Sequence, residues 1–421
     1  MSLSRCGGRC RIVSLIVAAC GLAAPRFAEA ESPRTQTIAV SIPDVEWDAV
    51  FSRTEGWSGG DAAGSIDLRD GRTVWVFGDS WIGNVAEGKH AAGSHMVNNA
   101  IGVHPGSPLG AGRAPKYREI GFFWGADDEH RKPTAWVVPT EHADTQWFWA
   151  NGGGVVVPGP DESRRLVVFL FHLTKRGDGD GVWNFKHIGS GMAIVDNVDE
   201  PADQWNVRPV LLPDGPGAGD ATDDARAINW GVSAFIQRDA PGAENGDLLY
   251  IYGVDDTNPY NKRLMLARVA PGKIEQLDQW EYFAGEGRWS PQVNHAVPLL
   301  DNVSSELSVD PYVEDGRRTL LLVYSEPAFG RRILVRSAAA PEGPWADPVP
   351  VYTVPGLDRG ASYFTYAAKG HLHLSRPGEL LVTYIINSQS FWDMAADAEI
   401  YRPRFVRVPL QMVLPNSDAP R

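Results

Sequence analysis

Asp61 and Asp79 stand near the two ends of a segment, Gly59 to Trp81, whose middle reads Arg69-Asp70-Gly71 between two short apolar runs. An Asp-Gly pair between such runs is a hairpin signal. A three-residue type I loop with Gly71 as a left-handed bulge pairs Leu68 with Arg72, and the same register carried outward sets Asp61 opposite Asp79. The two carboxyls then share one side of the hairpin, with Cβ atoms about 5 Å apart. A two-residue turn would move the register by one and put them on opposite faces. Two close carboxyls resist joint ionisation, so one keeps its proton while the other is a carboxylate. Cleavage of a glycosidic bond uses that division: one carboxyl protonates the leaving oxygen, and the other acts as nucleophile or activates water. Carboxyls about 5 to 5.5 Å apart favour retention and wider gaps inversion, so directly opposed positions lean towards retention.

Glu306, which opens Glu306-Leu-Ser-Val-Asp310, is a third candidate acid. It is either a general acid working with Asp61 as base or one half of a salt bridge to Arg331 or Arg332. Trp57, Trp81 and Trp149, together with Trp124, fall near the loop ends around the two aspartates, where indole faces stack on sugar rings; each also suits a hydrophobic core. Arg402, beside Pro403 and Arg404, is expected to contact a substrate oxygen or to pair with the acids. His371 and His373 alternate in Gly370-His-Leu-His-Leu and so share a face of an extended segment, but no third ligand stands nearby in sequence. His371 is read instead as a neutral, hydrogen-bonded group that orients a substrate or a structural ion. The acidic run Asp220-Ala-Thr-Asp223-Asp224 leaves a structural calcium as an option, without the EF-hand spacing. No other cofactor is expected: the nucleophile elbow, the Walker loop and the dinucleotide fingerprint are all missing from a suitable strand–helix context.

The elements that must carry these groups are strands. Between Gly, Pro and Asp clusters, short runs rich in Val, Ile, Tyr, Phe and Trp recur, and beyond about residue 40 no helical periodicity of convincing length appears. The runs fall into five groups, built around 73–77 and 99–103, then 154–195, 231–269, 307–336 and 363–408. Each repeats a strand, a polar turn, a very apolar strand and a third strand. The reading is an all-β, five-bladed β-propeller with long loops at one mouth; a β-sandwich would share the turn signals. The 44 Gly, 31 Pro and 15 Trp fit such a turn-rich fold with a carbohydrate groove, and the formal charge of −13 argues against a nucleic-acid partner. A monomer is expected.

Arg5, Arg9 and Arg11 precede an apolar run from Ile12 to Ala24, and Ala28-Glu29-Ala30 supplies small residues for cleavage. The expected organisation is a signal peptide over 1–30, a linker over 31–40, the propeller over 41–412 and a tail over 413–421. Cys6, Cys10 and Cys20 all lie in the leader, so the mature chain has no disulfide. It is expected to be secreted or periplasmic, without a membrane span. Val17-Ala-Ala-Cys20 also has the form of a lipoprotein processing box, which would anchor the chain through Cys20.

Trp57-Ser-Gly-Gly-Asp61, Asp70-Gly-Arg-Thr-Val-Trp-Val-Phe-Gly-Asp79-Ser-Trp and Val97-Asn-Asn99 together resemble the opening of a family of secreted bacterial five-bladed propellers. These have long been described as domains of unknown function, and their characterised relatives include endo-D-arabinanases. The resemblance returns at Arg332 to Trp345, Tyr366-Ala-Ala-Lys-Gly-His371, Tyr384-Ile-Ile-Asn387 and Tyr401-Arg-Pro-Arg-Phe405. It implies a glycoside hydrolase acting on an arabinan-like, furanose-containing polysaccharide or oligosaccharide, with Asp61 and Asp79 as the acids and Asn99 among the substrate-binding residues. The alternative is a propeller that binds carbohydrate without cleaving it.

Overall fold

The computed structural model describes residues 39–104, 114–127, 129–177, 184–212, 228–240 and 246–414. The β-branched and aromatic runs form antiparallel strands, and the described residues contain only two short α-helices, Val45–Phe51 and Phe391–Ala396. The first sheet comprises Gly64–Asp67, Thr73–Phe77, Ala100–His104 and Gly121–Phe123. The second comprises Gln146–Pro158, Arg164–Lys175, Phe185–Val195 and Val207–Leu211. The third begins Ile228–Gln237, Leu248–Asp255 and Lys262–Val269, and is extended by shorter strands. Leu307–Glu314, Arg317–Ser325, Arg332–Ala338 and Val349–Thr353 form the fourth. Tyr363–Gly370, Glu379–Ser388 and Pro403–Pro409 form the fifth, whose outer edge is completed by Ile42–Pro43 from the other end of the chain.

Strand alternation distributes the apolar side chains between sheets. Along Arg317–Ser325, Leu320, Leu322 and Tyr324 join an apolar cluster with the third sheet, while Leu321 and Val323 join one with the fifth. The same division recurs around the molecule, giving five apolar clusters that each span neighbouring sheets, including one between the fifth and the first. That last cluster takes in helix Val45–Phe51, whose N-terminus is capped by the Asp44 carboxylate accepting from the amides of Glu46 and Trp47. Trp47 from this helix stacks on Phe405 of the fifth sheet at 5.3 Å. The first strands of these five larger sheets all contribute residues to the wall of one cavity of about 60 Å³.

Candidate active site

The hairpin has the expected register: Gly64 pairs with Val76 and Asp67 with Thr73. Gly71 adopts φ +92°, but Arg69 is also left-handed, at φ +58°, so the loop does not begin as a type I turn. Asp67 and Asp70 stabilise it by accepting from the amides of Arg69 and Arg72. Beyond Gly64, Ala63 and Ala62 turn left-handed and end the strand, yet Gly60 still pairs with Ser80 and Gly59 with Trp81 in a small adjoining sheet. Asp61 is thus held opposite Asp79, its amide donating to the Asp79 carbonyl at 3.2 Å.

Both aspartates are half-buried. Asp61 Oδ2 accepts from the hydroxyls of Tyr366 at 2.6 Å and Tyr401 at 2.9 Å, and Asp61 Oδ1 lies where a side chain at Gly78 would begin, 2.4 Å from that Cβ position. Asp79 Oδ1 accepts from Trp149 Nε1 at 2.6 Å and Asn98 Nδ2 at 3.3 Å. Burial raises the Asp61 pKa well above the ordinary carboxyl range, the negative charges of Glu306 and Asp79 raise it further, and the two tyrosines oppose the shift. Burial likewise raises Asp79, against the donors Trp149 and Asn98. Such a group of carboxyls can hold a proton at neutral pH beside a carboxylate acceptor.

Glu306 joins these acids from the start of the fourth sheet and is ion-paired with Lys369, not with Arg331 or Arg332. Arg331 pairs with Asp358 and Arg332 with Glu326. Lys369 owes its inward direction to a bulge between Tyr366 and Lys369, which breaks the strand's alternation so that both residues reach the acids.

Of the aromatic candidates, only Trp149 touches an acid. Trp57 is 1% exposed among Phe51, Phe77 and Phe122, and donates to Ser80 Oγ; it fills the core and has no free face for a sugar. Trp81 is 5% exposed and stacked on His90 at 4.4 Å. Trp124 packs beside the cluster between the first and fifth sheets.

Asn99 is buried as a bracket, bonding the carbonyls of Val137 and Phe148 and the amide of Val137, so it binds backbone and not ligand. Its neighbour Asn98 is the asparagine that reaches Asp79. His371 is buried between Ser65 Oγ at 2.6 Å and Thr383 Oγ1 at 2.8 Å, tying the fifth sheet to the first; both nitrogens are occupied by protein. His373 lies in a 3-10 turn, Leu372–Leu374, so the two histidines do not share a face of a strand. Arg402 is 3% exposed and donates to the Ser58 carbonyl at 3.2 Å, which makes it a strut beneath the small sheet.

Among the described residues no three or more His, Cys, Asp or Glu side chains are grouped to hold a metal ion, and no helix is long and apolar enough to cross a membrane. Asp220, Asp223 and Asp224, and the expected leader with the three cysteines, lie outside the described residues. Tyr366, Tyr401, Asn98 and Lys369 are the site residues that the sequence reading did not single out. The first, second and fourth sit in motifs that carried the family resemblance, and Asn98 sits in the Val97-Asn-Asn99 motif.

A crystallised protein from Bacteroides ovatus, provisionally assigned as a hydrolase, shares the fold at a TM-score of 0.67, with 20% identity over 92% of this chain and 96% of that one. Looser likenesses include a GH62 α-L-arabinofuranosidase catalytic domain from Coprinopsis cinerea, at 11% identity and TM-score 0.41 over 85% of this chain and 92% of that one. An exo-β-1,3-galactanase from Phanerochaete chrysosporium matches at 9% identity and TM-score 0.43 over 85% of this chain and 63% of that one. No curated protein sequence matches the chain. The model of a domain of unknown function, DUF5005, matches residues 44–411, and the chain belongs to that family.

Proposed function

We propose that the protein is a secreted, monomeric glycoside hydrolase on a five-bladed β-propeller, cleaving a furanose-containing, arabinan-like polysaccharide or a related oligosaccharide. The propeller reading is supported by the five apolar clusters, which run from sheet to sheet and back to the first, and by the cavity that all five first strands line. The observation that carries the catalytic reading is the meeting of Asp61, Asp79 and Glu306, each fastened by its own donors. A module that only binds sugar has no need of like charges held together against their repulsion.

The division of labour follows from the donors. With Asp61 Oδ2 taken by two tyrosines, Oδ1 is the oxygen from which a proton passes to the leaving glycosidic oxygen as the C–O bond breaks. Asp79 keeps one oxygen free of Trp149 and Asn98, and that oxygen attacks the anomeric carbon; water then releases the sugar with Asp61 as base. Trp149 supplies an aromatic edge beside Asp79. Phe329, 53% exposed, packs on Phe364 at 4.7 Å, and Phe364 in turn lies 5.5 Å from Tyr366.

The test is hydrolysis of arabinan-type and other furanose polymers by the protein and its D61N and D79N variants, with the first-released anomer followed by NMR. The expected result is a retained product and a loss of about a hundredfold or more in either variant. An inverted first product, or full activity in D79N, would refute the paired mechanism.

A further inference from the structure

Lys369 is the one lysine among the largest fully buried side chains of the described residues, and its ammonium faces Glu306. Three features of the fold make room for it. The bulge at Ala367 and Ala368, with Ala367 left-handed at φ +55°, turns the side chain towards the axis. Gly152, at φ +92°, lies where a Cβ would be 2.2 Å from Lys369 Cε. A second bulge, between Ala150 and Gly154, carries that glycine past the lysine stem. A buried charge is costly unless paired, and this one is built into a wall that no surface interaction requires.

We propose that Lys369 is a positioning residue, whose ammonium pins the Glu306 carboxyl in place among the acids and so tunes Asp61, the proposed proton donor. The inference rests on the hydrolase reading for Asp61 as proton donor; the charge arrangement is a property of the protein alone. The charged and titratable groups around the pair can be named sheet by sheet. The first contributes Asp61 and Asp79, the fourth Glu306 and Asp310, and the fifth Lys369, Tyr366, Tyr401 and His371. The second and third present Gly152, Gly153, Gly154, Val232, Ser233 and Ala234 to the shared cavity, none of them charged. Lys369 is therefore the cationic side chain set among these carboxyls in the described residues. The negative charge of Glu306 acts directly on Asp61 and is its largest electrostatic neighbour. Without the ammonium, Glu306 loses the ion pair that holds its carboxyl among the acids, and its push on Asp61 weakens.

The experiment compares the full chain with K369M, K369R and the charge-free double variant K369M/E306Q, using carbon-13 NMR of the Asp61 carboxyl across pH without substrate. The expected result is that the Asp61 titration midpoint falls by about one unit or more in K369M, a tenfold change in proton affinity. It should fall likewise in the double variant and stay near wild type in K369R. The double variant carries no unpaired charge, so it keeps the test decisive if K369M does not fold. A midpoint unchanged in the neutral variants overturns the inference. On an accepted substrate, the same variants should move the alkaline limb of the kcat profile and leave KM nearly unchanged, which a merely structural lysine would not do. A normal titration result without hydrolysis of any glycan would instead sink the hydrolase reading and leave the charge assignment standing.

Discussion

Gly152→Ala is the sharpest single test of how the axis is packed. The added Cβ would lie 2.2 Å from Lys369 Cε and 2.9 Å from Cδ, and the residue sits at φ +92°. A left-handed backbone costs a non-glycine residue about 1–2 kcal/mol. The clash adds to this, because Lys369 is almost wholly enclosed and can yield only by leaving Glu306. Breaking one side of a buried ion pair costs about 3–5 kcal/mol, so the total is on the order of 5 kcal/mol. In a chain of this length that lowers Tm by on the order of 10 °C. Calorimetry and urea unfolding should show the loss in the native background. In a K369A/E306Q background, where neither the obstacle nor the unpaired charge remains, only the backbone cost of about 1–2 kcal/mol should persist. Equal losses in the two backgrounds, or a loss under about 1 kcal/mol in the first, would refute the account of Gly152 as the residue that admits the lysine.

Stability should respond to pH through groups of opposite sign, of which His104 and Asp310 are two. His104 has neither ring nitrogen bonded among the described residues, and burial pushes its pKa down from 6.5 to about 4. The unfolded chain therefore binds more protons between those values, so this contribution is intact above pH 6.5 and is lost as pH falls towards 4, by at most about 3 kcal/mol. Burial pushes Asp310 up from 3.8 to about 7; its contribution is full below pH 3.8 and is lost as pH rises through 7. In urea midpoints measured from pH 4 to 8, H104F should flatten the acid limb and D310N the neutral one, and curves parallel to wild type would count against both assignments. F329A should raise KM for an accepted oligosaccharide about three- to tenfold with kcat nearly unchanged, as expected for loss of one stacking ring. An unaltered KM would show that the exposed Phe329 ring does not stack on the substrate.

The hairpin that holds Asp61 and Asp79 was legible because its register is a local matter. Turn length and a left-handed Gly71 determine the pairing of residues on either side, and the count from one carboxylate to the other survives even though Ala62 and Ala63 interrupt the strand. The all-β class was legible for the same reason, since each antiparallel meander is a short-range pattern of apolar runs and turns. The acids' partners were not. Tyr366 and Tyr401 meet Asp61 across more than three hundred residues, and Lys369 reaches Glu306 only because a bulge reverses the parity that alternation would assign it. Parity also decided between the two asparagines: Asn98 reaches Asp79, while Asn99, one residue on, turns into the protein wall. The tryptophans show the remaining limit. An indole satisfies a core and a sugar platform by the same large apolar face, so residue type cannot distinguish Trp57, sealed among phenylalanines, from Trp149, whose nitrogen meets Asp79; only the packing of one sheet against the next makes that choice.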